Sequence, residues 1–294
     1  MNNYRLITDA DLANQRLLNN EIEEMSVEKP LLSLEPLLLA QLAPPATFLM
    51  GYDDVTVGLP NPSNGDAFPH PSMMHFVLAK FLKEEIKQVE SLADFGCGAG
   101  FLGAYAGAKL SPTKLFFSDL SPSSIIASAN NYSRNNITSE PKVEQLPDRL
   151  KLSHNEREVE LVAGDVLYSV MGRQFGIAVA CPIYIPGIVQ VFPQAYAVFG
   201  QAAKSSSAKF IFSHSSLTDE HIIESAKHIG AKLELGVASL EMPLIVDTAD
   251  PLRAGRDPLG DGPNVSYLKT LGLKDSDSPR SHYAHEIKVS IMSF

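Results

Sequence analysis

Asp94-Phe95-Gly96-Cys97-Gly98-Ala99-Gly100 follows a mostly apolar lead-in, Val89 to Ala93, and runs into a helix-forming segment, Phe101 to Leu110. That order is a strand, a glycine-rich turn and a helix start. Glycine reaches left-handed torsions and lets backbone approach a ligand with no Cβ in the way. The helix start behind it offers N–H groups and the positive end of a dipole, which suit a carboxylate or a phosphate. The turn therefore reads as the seat of an anionic or zwitterionic ligand. Gly98-Ala99-Gly100-Phe101-Leu102-Gly103 also fits G-x-G-x-x-G, the dinucleotide fingerprint. Against that stands Asp94: a carboxylate before the glycines crowds a pyrophosphate but suits an ammonium group.

Downstream, short apolar runs alternate with helical ones, the signature of a parallel sheet with crossover helices. The expected strands are Ser91 to Phe95, Lys114 to Ser118, Val159 to Ala163, Gly176 to Ala180, Lys209 to Ser213, Lys232 to Leu240 and His285 to Phe294. Helices are expected over Met73 to Gln88, Pro122 to Asn135, Tyr196 to Ala203 and Asp219 to Ile229, and Thr138 to Glu156 reads as a polar excursion. Upstream, Asp9 to Met25 carries Leu17, Leu18, Ile22 and Met25 at helical spacing. Gly51 to Leu59 alternates weakly, as a hairpin strand does. The chain divides into an N-terminal helical and hairpin segment, 1–70, and a catalytic domain, 71–294. Within the latter lies a Pro/Gly/Asp/Ser-rich loop at about 247–283, long enough to read as a functional lid or as disorder.

The chain has 294 residues, 45% of them hydrophobic and 20% charged, an ordinary globular composition with ample length for a core. A net charge of −10 gives no electrostatic footprint for nucleic acid or anionic membrane. No apolar run reaches the roughly 20 residues that span a bilayer, and residues 1–18 lack a signal-peptide core, so the cytoplasm is the expected compartment. Cys97 and Cys181 lack metal-site spacing and read as free thiols in two motif turns.

This strand order, with a turn motif closing each early strand, resembles the class I S-adenosylmethionine-dependent methyltransferase domain over about Glu90 to Phe294. The details look most like the branch of the HemK-type protein-glutamine N-methyltransferases. A helical segment precedes the core, Pro69-His70-Pro71 opens the helix before the first core strand, and Cys181-Pro182-Ile183-Tyr184 stands where that branch has N-P-P-Y. The resemblance implies a Rossmann-like α/β sheet with S-adenosyl-L-methionine as cofactor. Gly96, Gly98 and Gly100 would line its methionine part, with Asp94 toward the amino group. Asp119 would take both ribose hydroxyls, since a carboxylate accepts on two oxygens. Its bland alternative is a place in the N-cap region of the next helix. Asp165 corresponds to the residue that binds the adenine amino group, or is a solvated strand-end turn.

On the acceptor side, the resemblance puts Cys181, Pro182 and Tyr184 in the pocket, and His214 is a candidate for substrate contact or proton removal. His70 and His75 fall near the entrance by the same likeness. Arg253, Arg256 and Asp257 of the late loop could gate or read a substrate. The departures are Cys181 for Asn and Ile183 for the second Pro. A thiol is a weak acceptor, and losing a hydrogen bond to a substrate NH₂ costs about 1–3 kcal/mol, so glutamine specificity does not carry over. The expected activity is methyl transfer to a nitrogen of a small molecule or of a peptide or protein side chain. The rivals are O-methylation with His214 as base, an NAD-dependent oxidoreductase, a non-catalytic cofactor-binding homologue, and nucleic-acid adenine methylation, which the acidic charge opposes. The oligomeric state is left open.

Overall fold

The computed structural model describes residues 23–26, 46–60, 73–137, 141–146, 149–182, 192–247 and 280–294. Five strands form the centre of a nine-stranded sheet: β4 (Ser91–Phe95), β5 (Lys114–Asp119), β8 (Arg157–Ala163), β9 (Ile177–Ala180) and β10 (Lys209–Ser215). All neighbours among them are parallel, in the order β10-β9-β4-β5-β8. On one side β12 (Arg280–Ser293) pairs antiparallel with β10, and β11 (Lys232–Asp247) pairs with β12 beyond it. On the other, β7 (Arg149–His154) and β6 (Lys142–Leu146) continue the sheet antiparallel from β8. The chain builds outward from β4 through β5 to β8, then returns to the other side of β4 for β9 and β10. The strand order therefore reverses between β4 and β9.

Alternation along the central strands makes two cores. Leu92, Leu115, Phe117, Val179 and Ile211 face one side, where α1 (Met73–Glu85), α2 (Phe101–Lys109) and α3 (Pro122–Asn136) bury Leu78, Leu102 and Tyr132 against them. Ala93, Phe116, Ala178, Phe210 and Phe212 face the other, against α4 (Val166–Ser169), α5 (Phe192–Ser205) and α6 (Asp219–Ile229). Strands buried on both faces read as near-continuous apolar runs, as these do. This is the Rossmann-like α/β sheet expected from the sequence.

Three segments differ from expectation. The polar stretch 138–156 is not an excursion: it supplies β6 and β7, which extend the sheet. Its tight turn is Asn155-Glu156, with φ of 45° and 63°, the left-handed pair of a type I′ hairpin. The expected helix over Asp9 to Met25 ends instead in β1 (Glu23–Ser26), paired antiparallel with β2 (Ala46–Tyr52). The rest of that helix lies outside the described residues. The weak strand at Gly51 to Leu59 is a hairpin of β2 and β3 (Val55–Pro60), turned through Asp53-Asp54. Of the loop at 247–283, Asp247 and Arg280 to Tyr283 belong to β11 and β12. No described helix is long and apolar enough to cross a membrane.

Candidate functional site

In open α/β sheets, ligands bind outside the carboxyl ends of the strands where the strand order reverses. Here that place lies between β4 and β9. Phe95 pairs with Ala180 across it, so the residues that follow, Gly96 and Cys181, begin the two turns that flank the crevice. The glycine turn and the Cys181-Pro182 turn, far apart in sequence, thus share one edge.

The turn's three glycines have φ of 64°, 53° and 76° at Gly96, Gly98 and Gly100. At Gly100 a Cβ would also stand 2.7 Å from the Ser128 backbone. Gly100 is the N-cap of α2 and has no side chain to cap it. Asp94 does this work from β4: its Oδ2 accepts from the Gly103 N–H at 2.9 Å. Asp94 is 2% exposed, and burial pushes its pKa up to about 7, with the Gly103 N–H opposing and the Asp119 charge reinforcing the rise. Gly103 itself packs against the Phe117 ring with no room for a Cβ. The third glycine of G-x-G-x-x-G is thus required by helix–strand packing. A pyrophosphate at α2 would have to compete with Asp94 for the helix N–H groups.

Asp119 ends β5 and turns toward the glycines. Its Oδ2 accepts from the Gly98 N–H at 2.9 Å and its Oδ1 from the Ser121 N–H at 2.9 Å. The second bond is the turn role that sequence reading set beside the ribose role. A carboxylate has about four lone-pair sites, so two bonds leave capacity for a diol. Asp165 is exposed and is the N-cap of α4, accepting from the Leu167 N–H at 2.8 Å.

Cys181 and Pro182 are buried. The Cys181 Sγ lies 3.3 Å from Nδ1 of His75, a residue of α1. The same imidazole stands edge-on to the ring of Phe101, the first residue of α2, with centroids 6.2 Å apart. His75 therefore lies between the Cys181-Pro182 turn and the start of α2. Desolvation holds its pKa down at about 4, so it is neutral at physiological pH. Cys97 makes a different contact, 3.2 Å from Ser128 Oγ, and burial pushes its thiol pKa well up. Tyr184, Ile183, His70, Arg253, Arg256 and Asp257 lie outside the described residues.

His214 lies in β10, one residue before its end, and is 0% exposed with both ring nitrogens engaged. Its Nε2 lies 2.7 Å from Ser290 Oγ, and its Nδ1 lies 3.1 Å from the Ser215 carbonyl and 3.5 Å from Asp219 Oδ1. The ring thus links β10 to β12 and is buried from water.

Burial lowers the pKa of both His75 and His214 to about 4 from an ordinary 6.5. Between those values the unfolded chain binds the extra protons, so stability falls as pH drops through that window. Asp94 is raised from 3.8 to about 7 and opposes this, being protonated in the folded chain first. Two groups outweigh one. The urea midpoint is expected to fall from pH 6.5 to pH 4.5, and His214→Gln should make that fall shallower. An unchanged slope in the variant would remove His214 from the account.

Sequence reading missed a polar stripe on the inner face of α3. Ser128 Oγ donates to the Gly98 carbonyl at 3.0 Å, and Asn131 Nδ2 donates to the Ala99 carbonyl at 2.8 Å. Its signal is present in the sequence: Ser124, Ser128, Asn131 and Asn135 recur at helical spacing along one side of α3.

A family model described as Ribosomal protein L11 methyltransferase (PrmA) matches residues 76–175, a segment that includes the glycine turn, Asp119, Asp165 and His154. No curated protein matches the chain. Among solved structures, one of Trm1 from Pyrococcus horikoshii with S-adenosyl-L-methionine is 12% identical with a TM-score of 0.43, covering 80% of this chain; the chain spans 59% of that one. The ribosomal protein L11 methylase of Lactobacillus delbrueckii subsp. bulgaricus is 14% identical with a TM-score of 0.41, covering 76% of this chain and 82% of its own. An RNA methyltransferase assignment, PH1948 of Pyrococcus horikoshii, is carried by a structure 11% identical with a TM-score of 0.46, covering 78% and 89%.

Proposed function

We propose that this chain is an S-adenosylmethionine-dependent methyltransferase whose acceptor is a nitrogen on a protein or peptide side chain. The observation that carries the reading is the Gly98 N–H bond to Asp119. It joins the glycine turn to an acidic strand end at the edge where the sheet reverses, inside the segment matched by a methyltransferase family. The residues suit that cofactor. The turn offers three glycines, Gly96, Gly98 and Gly100, with no side chain to obstruct its methionine part, and Asp119 has acceptor capacity for its ribose. Asp94 supplies negative charge from beneath the turn, and an ammonium group nearby would hold it ionised. We assign the adenine amino group to Asp165, which is exposed beside β8 and also caps α4.

Bound S-adenosylmethionine supplies an activated methyl group. The chain's own part is alignment, which can contribute several kcal/mol when donor and acceptor are held in line. On the acceptor side the HemK-type likeness of Cys181-Pro182-Ile183-Tyr184 supports nitrogen, and the family description supports a protein substrate. Cys181 is a poor hydrogen-bond acceptor, but His75 beside it offers a neutral imidazole. We assign acceptor contact to Cys181, Pro182, Tyr184 and His75.

Transfer of a labelled methyl group to purified ribosomal protein L11 tests the protein-substrate reading, with a small-molecule amine panel as the second arm. Label on neither would leave the acceptor class wrong. Tyr184→Ala is expected to lower turnover at least tenfold while S-adenosylmethionine affinity stays within about threefold, as for a residue that acts on the acceptor. Equal loss of both would reassign Tyr184 to packing.

A further inference from the structure

The stripe on α3 holds two things at once. Asn131 is 1% exposed and grips Gly58 of β3 on both sides of one residue: its Oδ1 accepts from the Gly58 N–H at 2.6 Å and its Nδ2 donates to the Gly58 carbonyl at 3.0 Å. One turn further on, Asn135 repeats the grip on Thr56, with Oδ1 accepting from the N–H at 2.8 Å and Nδ2 donating to the carbonyl at 2.7 Å. The spacing explains the match. Four residues of helix rise about 6.0 Å, and two residues of strand advance about 6.6 Å. Two asparagines at i and i+4 therefore satisfy the open edge of β3 as a neighbouring strand would.

The same Nδ2 of Asn131 also donates to the Ala99 carbonyl in the glycine turn, while Ser128 holds the preceding carbonyl, Gly98. A peptide unit is planar, and its N–H points opposite to its carbonyl. Fixing the Gly98 and Ala99 carbonyls toward α3 therefore aims the Ala99 and Gly100 N–H groups the other way. The Gly100 N–H accordingly meets the Cys97 carbonyl at 2.7 Å inside the turn. The far end of the hairpin is anchored to α1 and α2: Asp53 accepts from Tyr105 Oη at 2.8 Å and from Lys83 Nζ at 2.7 Å, and Tyr52 packs on Phe76 with ring centroids 5.0 Å apart.

We propose that Asn131 is a positioning residue that makes the β2–β3 hairpin part of the cofactor site, so that hairpin docking and cofactor binding strengthen each other. The proposal rests on the methyltransferase reading for the identity of the cofactor. Such coupling is reciprocal: a ligand that orders the turn also tightens the hairpin, and breaking the Asn131 link between the two weakens the ligand. Asn135 touches β3 and its own helix but not the turn, which supplies the control.

The test combines amide hydrogen exchange with calorimetric binding of S-adenosylhomocysteine to the full chain. In the wild-type protein, saturating S-adenosylhomocysteine is expected to slow exchange of the Thr56 and Gly58 amides at least fivefold. Asn131→Ala should weaken S-adenosylhomocysteine at least tenfold and remove that protection. Asn135→Ala should speed hairpin exchange but leave affinity within about threefold. Hairpin amides indifferent to the ligand, or Asn131→Ala with wild-type affinity, would overturn the coupling, and the wild-type arm needs no variant to fold. If wild-type protein does not bind S-adenosylhomocysteine at all, the cofactor reading fails and the coupling with it. Unchanged hairpin exchange in Asn131→Ala would instead refute the clamp alone.

Discussion

Replacing Gly100 by alanine is expected to abolish cofactor binding and to lower folding stability by about 3 kcal/mol. Two costs add. A Cβ at φ of 76° suffers the left-handed clash, worth about 1–2 kcal/mol. The added carbon would also lie 2.7 Å from the Ser128 Cα and Cβ, and such overpacking costs about 1–3 kcal/mol. Ser128 cannot move aside cheaply, because its Oγ holds the Gly98 carbonyl and contacts Cys97. Gly172 separates the two costs. Its φ is 72°, but nothing lies within 4 Å of the Cβ position, so Gly172→Ala carries only the conformational cost, about 1 kcal/mol. Urea unfolding of both variants reads the difference. Equal losses would mean that α3 does not press on the turn.

Asp119→Ala is expected to weaken S-adenosylhomocysteine about 100-fold or more. The substitution removes charge-assisted acceptors for a vicinal diol, each worth about 1.5–3 kcal/mol, and frees the Gly98 N–H that the carboxylate holds. Asp119→Asn keeps one carbonyl oxygen and should fall between. Calorimetric titration measures both, and unchanged affinity in the alanine variant would sink the ribose assignment. Thermal unfolding adds a second readout. Loss of the Ser121 contact alone should cost about 1 kcal/mol, as loss of a turn or cap acceptor does.

Much of this fold was legible because its central strands are buried on both faces. Leu115-Phe116-Phe117 and Phe210-Ile211-Phe212 fill both cores at once, and such runs between helical segments leave few readings. The glycine turn announced itself because three positive-φ positions admit little else. What escaped depended on long-range partners. Asn155-Glu156 and Asp53-Asp54 form tight hairpin turns without the glycine that marks such turns in a sequence, so the β7–β8 and β2–β3 hairpins are hard to read from it. In β7 the buried Leu150, Leu152 and His154 do alternate, but charged neighbours dominated the reading. The surroundings of His214 are hidden for a related reason: its place near a strand end is legible, while its contact with Ser290, on β12, is made across the sheet. The Cys181–His75 contact likewise joins residues 106 positions apart, on different elements of the fold.

Asp94 shows how a motif can be recognised and still be given an incomplete role. Its place before the glycines was read as a charge for the ligand. The structure gives it a second task as the cap of α2, which accounts for an acid there whether or not a ligand is bound.

The most direct measurement is calorimetric binding of S-adenosylmethionine and S-adenosylhomocysteine to the purified chain, with NAD⁺ as the control. Saturable binding of the first two and none of NAD⁺ is the expected result. Binding of NAD⁺ alone would contradict it, because the glycine turn would then hold a pyrophosphate in spite of Asp94, and the methyltransferase reading would fall.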